Sequence, residues 1–369
     1  MIDELKYALA YIRENIDEAH VAEAERLQGA AMEYGKVPRI PVVFHDIRPP
    51  EYKTFSVAEG FADRDRMLVN ELLHTYVGVK YRDDRMLTVR AQFGPGIIPS
   101  MFGCKVEAAE ATTWTAPYRD SAKIKALVSR GMPDINSALG GEVYERQHYF
   151  NETLRGNGLD SLVHQYQADN QSPFDLAEMI WGEDIYVAMY DEPELVHEFL
   201  ALITDTTIKF VKNQKRILNE SGGTMCHWWY KVKGGVRFVD DMTTNISPRM
   251  YDEFVIPYNE RIFAEFGGGY MHFCGFMMHN QPGRIKTKGN NGMELVEDRF
   301  GKTAEHKLNR RWSEMAPHRQ TVYWVGYTLD GASKDVVSTG CVFGYSMVDE
   351  PPGSIAAKCE QVREYWVFD

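Results

Sequence analysis

An α/β chain closed as a (β/α)8 barrel (a TIM barrel), behind an N-terminal helical extension over residues 1–36, is the fold the sequence predicts. Three observations carry the expectation. Eight short runs rich in β-branched and aromatic residues recur along the chain, helical patterns separate most of them, and residues 2–34 carry a helical stripe and no strand. Strands that alternate with helices pair in parallel through right-handed crossovers.

The opening stripe is Leu5, Ala8, Ile12, Ile16, Ala19, Ala22 and Leu27, which reads as one or two helices closed by Gly35. The strand runs follow in order: RIPVVFHDI (39–47), RMLTVRAQF (85–93), LVHQYQAD (162–169), GGVRFVDDM (234–242), GGYMHFCG (268–275), GMELVED (292–298), TVYWVGY (321–327) and STGCVFGYS (338–346). SAKIKALVSRG, DEPELVHEFLALITDTTIKFVKNQKRIL and SPRMYDEFVIPYNERIFAEFG are the helical patterns between them. A doubly wound open sheet is the rival, and it would open with a glycine-rich strand-to-helix turn. None follows an early strand, and the prolines of FGPGIIPSMFG (93–103) suit an irregular loop. The connection TLDGASKDVV is too short for a full crossover helix, so that helix is vestigial or one neighbouring strand is misassigned. With no repeat and no low-complexity linker, residues 37–369 read as a single catalytic barrel.

Composition removes several functions. Lys+Arg 41 against Asp+Glu 53 leaves −12 with no basic stripe, so nucleic acid is excluded as a partner. No apolar run approaches the ~18 residues of a membrane span, and the charged start lacks a signal-peptide core. The five cysteines are odd in number and scattered, as expected of reduced thiols in the cytoplasm.

The chemistry gathers at GGYMHFCGFMMHN (268–280). Alternate side chains of a strand share a face, so His272 and Cys274 look the same way, at the carboxyl end where barrel enzymes work. Cys341 is read near the carboxyl end of the last strand. With it the pair offers three soft ligands for Zn²⁺ and leaves a fourth position for substrate or water. A core histidine beside a buried thiol is the alternative. Asp240 and Asp241 close another strand run, and at least one should face the mouth as a catalytic carboxylate or a support for a ligand. Both could instead cap the loop ahead of Ser247 and Pro248.

Softer candidates surround these. Glu294, Glu297 and Asp298 could supply a fourth ligand or an acid. His227 and Trp228 in CHWWYKVKGG could line a site for a flat cofactor. Asp169, Asn170 and Gln171 stand at a strand-to-helix junction suited to polar contacts with substrate or cofactor. Cys226 has the next claim as a ligand, His279 reads as a loop residue and Cys359 as a packing residue.

QSPFDLAEMIWG…MYDEPELVHEFLALIT, then VDDMTTNISPRMYDEFVIPYNERIFAEFGGGYMHFCG, then TGCVFGYSMVDEPPGSIAAKCEQVREYW resemble the uroporphyrinogen decarboxylase superfamily over residues 155–369. The H-x-C followed by a later Gly-Cys resembles its cobamide-dependent methyltransferase branch more closely. That resemblance implies a barrel with Zn²⁺ on His272, Cys274 and Cys341. It also implies a corrinoid (a methylcobamide) carried by a partner protein, and a thiol acceptor or a methylated small-molecule donor. Decarboxylases of the superfamily carry an arginine-rich segment near the first strand, where VVFHDIRPPEYKTF here holds only Arg48. Two other functions stay open: a metal-free decarboxylase acting on a small carboxylic acid through Asp240 or Asp241, and a non-catalytic corrinoid- or tetrapyrrole-binding barrel. A homo-oligomer is compatible with either.

Overall fold

Eight parallel strands ring the core: β1 Val42–His45, β2 Thr88–Arg90, β3 His164–Tyr166, β4 Val236–Val239, β5 Gly269–Phe273, β6 Asn290–Val296, β7 Thr321–Gly326 and β8 Cys341–Ser346. Each falls inside one of the eight runs or within two residues of it. The computed structural model describes every residue except 110–111, 221–222, 275–277, 297–307, 327–328, 330–331 and 369. Six strands form one sheet in the order β1-β8-β7-β6-β5-β4, and β2 pairs with β3. Backbone bonds join the two pieces on one side: Val239 N–H donates to Asn170 O (3.0 Å) and Ser172 N–H to Val239 O (2.7 Å).

The seam between β1 and β2 is closed differently. Asp84 N–H reaches Val42 O at 2.9 Å, while the Asp84 and Asp83 carboxylates accept the N–H groups of Val42 (2.8 Å) and Phe44 (2.9 Å). Carboxylates thus satisfy donors that a neighbouring strand would otherwise take. A β-hairpin, Thr224–His227 against Tyr230–Lys233, fills the barrel beside this seam. Its Tyr230, Met225 and Val232 pack on Val43, Tyr270, Tyr323 and Val342. At its tip Trp229 O accepts Met86 N–H at 2.9 Å, and Trp228 O accepts the Thr88 hydroxyl.

Period-2 alternation fixes what looks inward. In β8, Phe343 meets Trp366 at 5.1 Å on the outside, so Val342, Gly344 and Ser346 face the interior. A methyl at Gly344 would collide with His45 Nε2, so only glycine lets that imidazole lie inside the barrel. Between β7 and β8 the described residues form turns but no helix, so the crossover is the missing part and both strands stand.

Helices α1 Asp3–Asn15 and α2 Glu18–Met32 form the extension. Leu5, Ala8, Leu9 and Ile12 of α1 are buried, and Asp17 caps α2 through the N–H groups of Ala19 and His20. The left-handed residue after α2 is Tyr34 (φ 56°) rather than the expected Gly35, whose N–H closes the turn on Ala30 O at 2.8 Å. Among the described residues no helix is long and apolar enough to cross a membrane.

Candidate metal centre

Strand β5 exposes Tyr270 and His272 to the interior, while Met271 packs outward on Phe238, Ile262 and Phe263. Cys274 follows on the inner side, and His272 Nε2 lies 3.0 Å from its Sγ. The other ring nitrogen, Nδ1, is 2.9 Å from Glu294 Oε2. Register makes that contact, because β6 sets Glu294 directly beside His272.

Asp241 completes the group. Its Oδ1 accepts the Cys274 N–H at 2.6 Å, and one donor atom from each of Asp241, His272 and Cys274 lies within 4.8 Å of the others. Asp241 is itself held from the helix that follows β3, Pro173–Trp181. Asp175 in its first turn accepts the N–H groups of Asp241 (2.7 Å) and Met242 (3.2 Å), and Ser172 caps the helix through Asp175 N–H at 3.1 Å. Burial and the nearby Asp240 and Asp241 carboxylates push the Asp175 carboxyl well up. Sequence reasoning missed Asp175, although SPFD carries the signal of a capped helix starting at a strand end.

Electrostatics hold a proton on His272 in the metal-free protein, one that a metal must displace at neutral pH. Burial drives its pKa down, but the Glu294 carboxylate and the hydrogen bond to Cys274 outweigh that, and the ring is pushed up to about 9. Glu294 is shared, since Arg237 Nη2 stands 3.6 Å from it and Arg237 Nη1 reaches Asp169 at 3.1 Å.

Cys341 is not part of this group. It opens β8, next to Gly340, whose N–H bonds α2 at Ala31 O (3.1 Å), and it shares the outward face of Phe343 in an apolar cluster. His272 and Cys274 lie at the other end of their strand. Burial in apolar surroundings pushes the Cys341 thiol up. The third donor near His272 is the oxygen of Asp241, not the sulfur of Cys341.

Asp240 points away from the mouth and into an ion pair with Arg284 Nε (3.0 Å), accepting also the Tyr251 hydroxyl at 2.9 Å. Burial pushes its carboxyl up against the opposing pull of Arg284 and Tyr251, and these partners tie it into the structure rather than leaving it free at the mouth. His227 and Trp228 sit at the hairpin tip inside the barrel. Both ring nitrogens of His227 are buried without a hydrogen-bond partner, and burial with Arg237 and Arg90 nearby keeps the ring neutral. The Trp228 indole is 5.8 Å from the His272 ring. Asn170 is buried and lends its carbonyl to β4. Asp169 and Gln171 bond each other at 3.2 Å. His279 Nε2 contacts Ile246 O at 3.1 Å in a short 3-10 turn. Cys226 faces Lys231 across the hairpin, away from the centre, and Cys359 is buried on helix Ile355–Tyr365. Glu297 and Asp298 lie outside the described residues.

The fold is similar to a solved methyltransferase from Methanosarcina mazei, at a TM-score of 0.60 over 91% of this chain and 96% of that one, with 12% sequence identity. No curated protein matches the chain. The family model of uroporphyrinogen decarboxylase (URO-D) matches residues 97–295, more than half of the sequence, a segment that includes His272, Cys274 and Glu294. On that match the chain belongs to the uroporphyrinogen decarboxylase family.

Proposed function

We propose that the chain is a zinc-dependent methyltransferase. It moves a methyl group between a corrinoid presented by a partner protein and a thiol, ether or amine heteroatom of a small molecule. The observation that carries this reading is the imidazole–thiol pair of His272 and Cys274, 3.0 Å apart, with Asp241 beside it and Glu294 behind the ring. One nitrogen, one sulfur and one oxygen donor suit Zn²⁺ and leave a position for substrate. The carboxylate on the far ring nitrogen is the partner that metal-binding histidines carry. The methyltransferase of similar fold agrees with this choice, and so does the H-x-C motif.

Zinc held there would supply a Lewis acid that keeps a bound thiol deprotonated, or polarises an ether or amine, at neutral pH. The chain's own residues have separate tasks. Glu294 accepts the Nδ1–H of His272 and so keeps Nε2 as the nitrogen that would bind a metal beside the Cys274 sulfur. The Cys274 amide orients the Asp241 carboxylate, and Asp175 fixes the loop that carries it. Trp228 covers one side of the imidazole. A corrinoid docked at the barrel mouth would give up or accept the methyl group as the equivalent of a methyl cation, and the residues of this site would hold the heteroatom that exchanges it. A metal-free decarboxylase was expected to use Asp240 or Asp241; Asp240 is taken by Arg284 and Tyr251, and Asp241 accepts the Cys274 N–H beside the candidate ligands.

Zinc analysis of protein purified without added metal tests the proposal, beside His272→Ala and Cys274→Ser. The expected result is about one equivalent in the wild type and a large loss in both variants. A zinc-free wild type, or variants that keep the metal, would sink it. Following the spectrum of methylcobalamin with thiols, and of its reduced, unmethylated form with methyl ethers and methylamines, then assigns the direction of transfer.

A further inference from the structure

Next to His272 the barrel interior holds polar atoms that a folded core seldom leaves unmatched. Arg90, the last residue of β2, is 5% exposed. Its Nε and Nη1 are buried without a hydrogen-bond partner, as are Arg237 Nε and both ring nitrogens of His227. Arg237 spends its other nitrogens on Asp169 and Glu294. Arg90 has no carboxylate within ion-pair distance among the described residues, and Glu71 accepts only its backbone N–H, at 3.1 Å.

One indole gathers these groups. The Trp228 ring lies 6.0 Å from the Arg90 guanidinium, 5.4 Å from that of Arg237 and 5.8 Å from the His272 imidazole. Trp228 is held at φ 49°, a conformation that a bulky residue adopts only where its surroundings enforce it. The hairpin therefore carries a strained tip that sets one indole beside both a buried guanidinium, whose Nε and Nη1 lack acceptors, and the candidate metal ligands.

We propose that Arg90 anchors a carboxylate of the small-molecule substrate. The molecule working at His272 and Cys274 is then a short carboxylic acid with its thiol, ether or amine a few bonds from the carboxyl group. A guanidinium presents neighbouring N–H donors in a plane, which a carboxylate accepts side by side. The acid is small because anchor and metal ligands share a single indole as neighbour. It carries one carboxyl, because the second arginine is already engaged. The position of the heteroatom rests on the metal reading above, whereas the anion site does not.

Calorimetric titration compares each acid with its amide: 3-mercaptopropanoate with 3-mercaptopropanamide on zinc-loaded protein, and propanoate with propanamide on zinc-free protein. The acids should bind at least tenfold tighter than the amides, and Arg90→Met should abolish the preference while zinc content stays unchanged. Equal affinities in the wild type would mean that buried water satisfies Arg90, and they overturn the proposal. So does a preference that survives in the Met variant. Should that variant fail to fold, Arg90→Lys decides, because it keeps the charge and loses the fork: the preference should fall several-fold, and an unchanged ratio refutes the anchor. Tighter binding of 2-mercaptoethanesulfonate than of the carboxylate would overturn the choice of acid. Loss of zinc with the propanoate preference intact would sink the metal reading alone.

Discussion

Glu294→Gln sets two effects against each other, and pH separates them. The substitution keeps an oxygen that can accept the His272 Nδ1–H and removes the charge behind it. In the metal-free protein that charge, with the thiol contact, outweighs burial and raises the imidazole to about 9. A metal must then displace a proton at neutral pH. Between pH 7 and about 9 this competition costs about 2.7 kcal/mol at ~1.4 kcal/mol per pH unit, or roughly a hundredfold in zinc affinity. The Gln variant escapes it, because burial without the carboxylate returns the ring to its ordinary range or below. The variant also loses the carboxylate that orients the ligand and strengthens its lone pair, worth about 10- to 100-fold in affinity.

Zinc titrations against a chromophoric chelator from pH 6.5 to 9.5 should therefore give wild type and variant within about tenfold of each other near pH 7. They should part by about 10- to 100-fold above pH 9. Calorimetry in buffers of different ionisation enthalpy should find about one more proton released by the wild type at pH 7.5. A gap that does not change with pH, or equal proton counts, would refute the electrostatic coupling of Glu294 to His272. The same raised pKa acts on the metal-free fold. Its contribution is fully present below the ordinary histidine value of about 6.5 and is lost as pH rises through about 9.

Two further substitutions check the architecture. Cys341→Ser should leave the zinc content unchanged and lower stability by about 1–2 kcal/mol in urea unfolding, because a hydroxyl then enters an apolar cluster; loss of zinc by a folded variant would return Cys341 to the ligand set. Gly344→Ala should cost about 1–3 kcal/mol, read as a fall in Tm, since its methyl meets His45 Nε2 and lies 2.8 Å from Trp324 O; an unchanged Tm would mean that His45 does not occupy the barrel.

The strands were legible because each is a short β-branched or aromatic run with turn residues at its ends. The two-residue period also put His272 and Cys274 on one face without further information. Cys341 was misplaced by a matter of register. Cys341 is read from STGCVFGYS as lying near the carboxyl end, whereas Gly340 is a turn at φ 66° and the strand begins at the cysteine. That Thr-Gly ahead of the β-branched residues was the available signal. It puts Cys341 at the amino end, where no active-site residue of a barrel is expected. Asp240 and Asp241 could not be told apart from sequence, because the choice depends on Arg284 and Asp175, 44 and 66 residues away.

The hairpin inside the barrel was invisible for a more instructive reason. Its turn is Trp228-Trp229, with none of the Gly, Asn or Asp that mark a tight hairpin. Local propensity argues against a turn there, and the bonds from Thr88 and Met86 to the tip carbonyls, with the arginines and rings around Trp228, hold the conformation. A sequence that breaks a local rule inside its own barrel, beside buried polar atoms without partners, has placed its strain where a ligand is expected to repay it. On that reasoning Trp228 belongs with Arg90 and His272 as one constellation. Ligand binding should then change the indole's fluorescence in the wild type and leave the Arg90→Met protein silent.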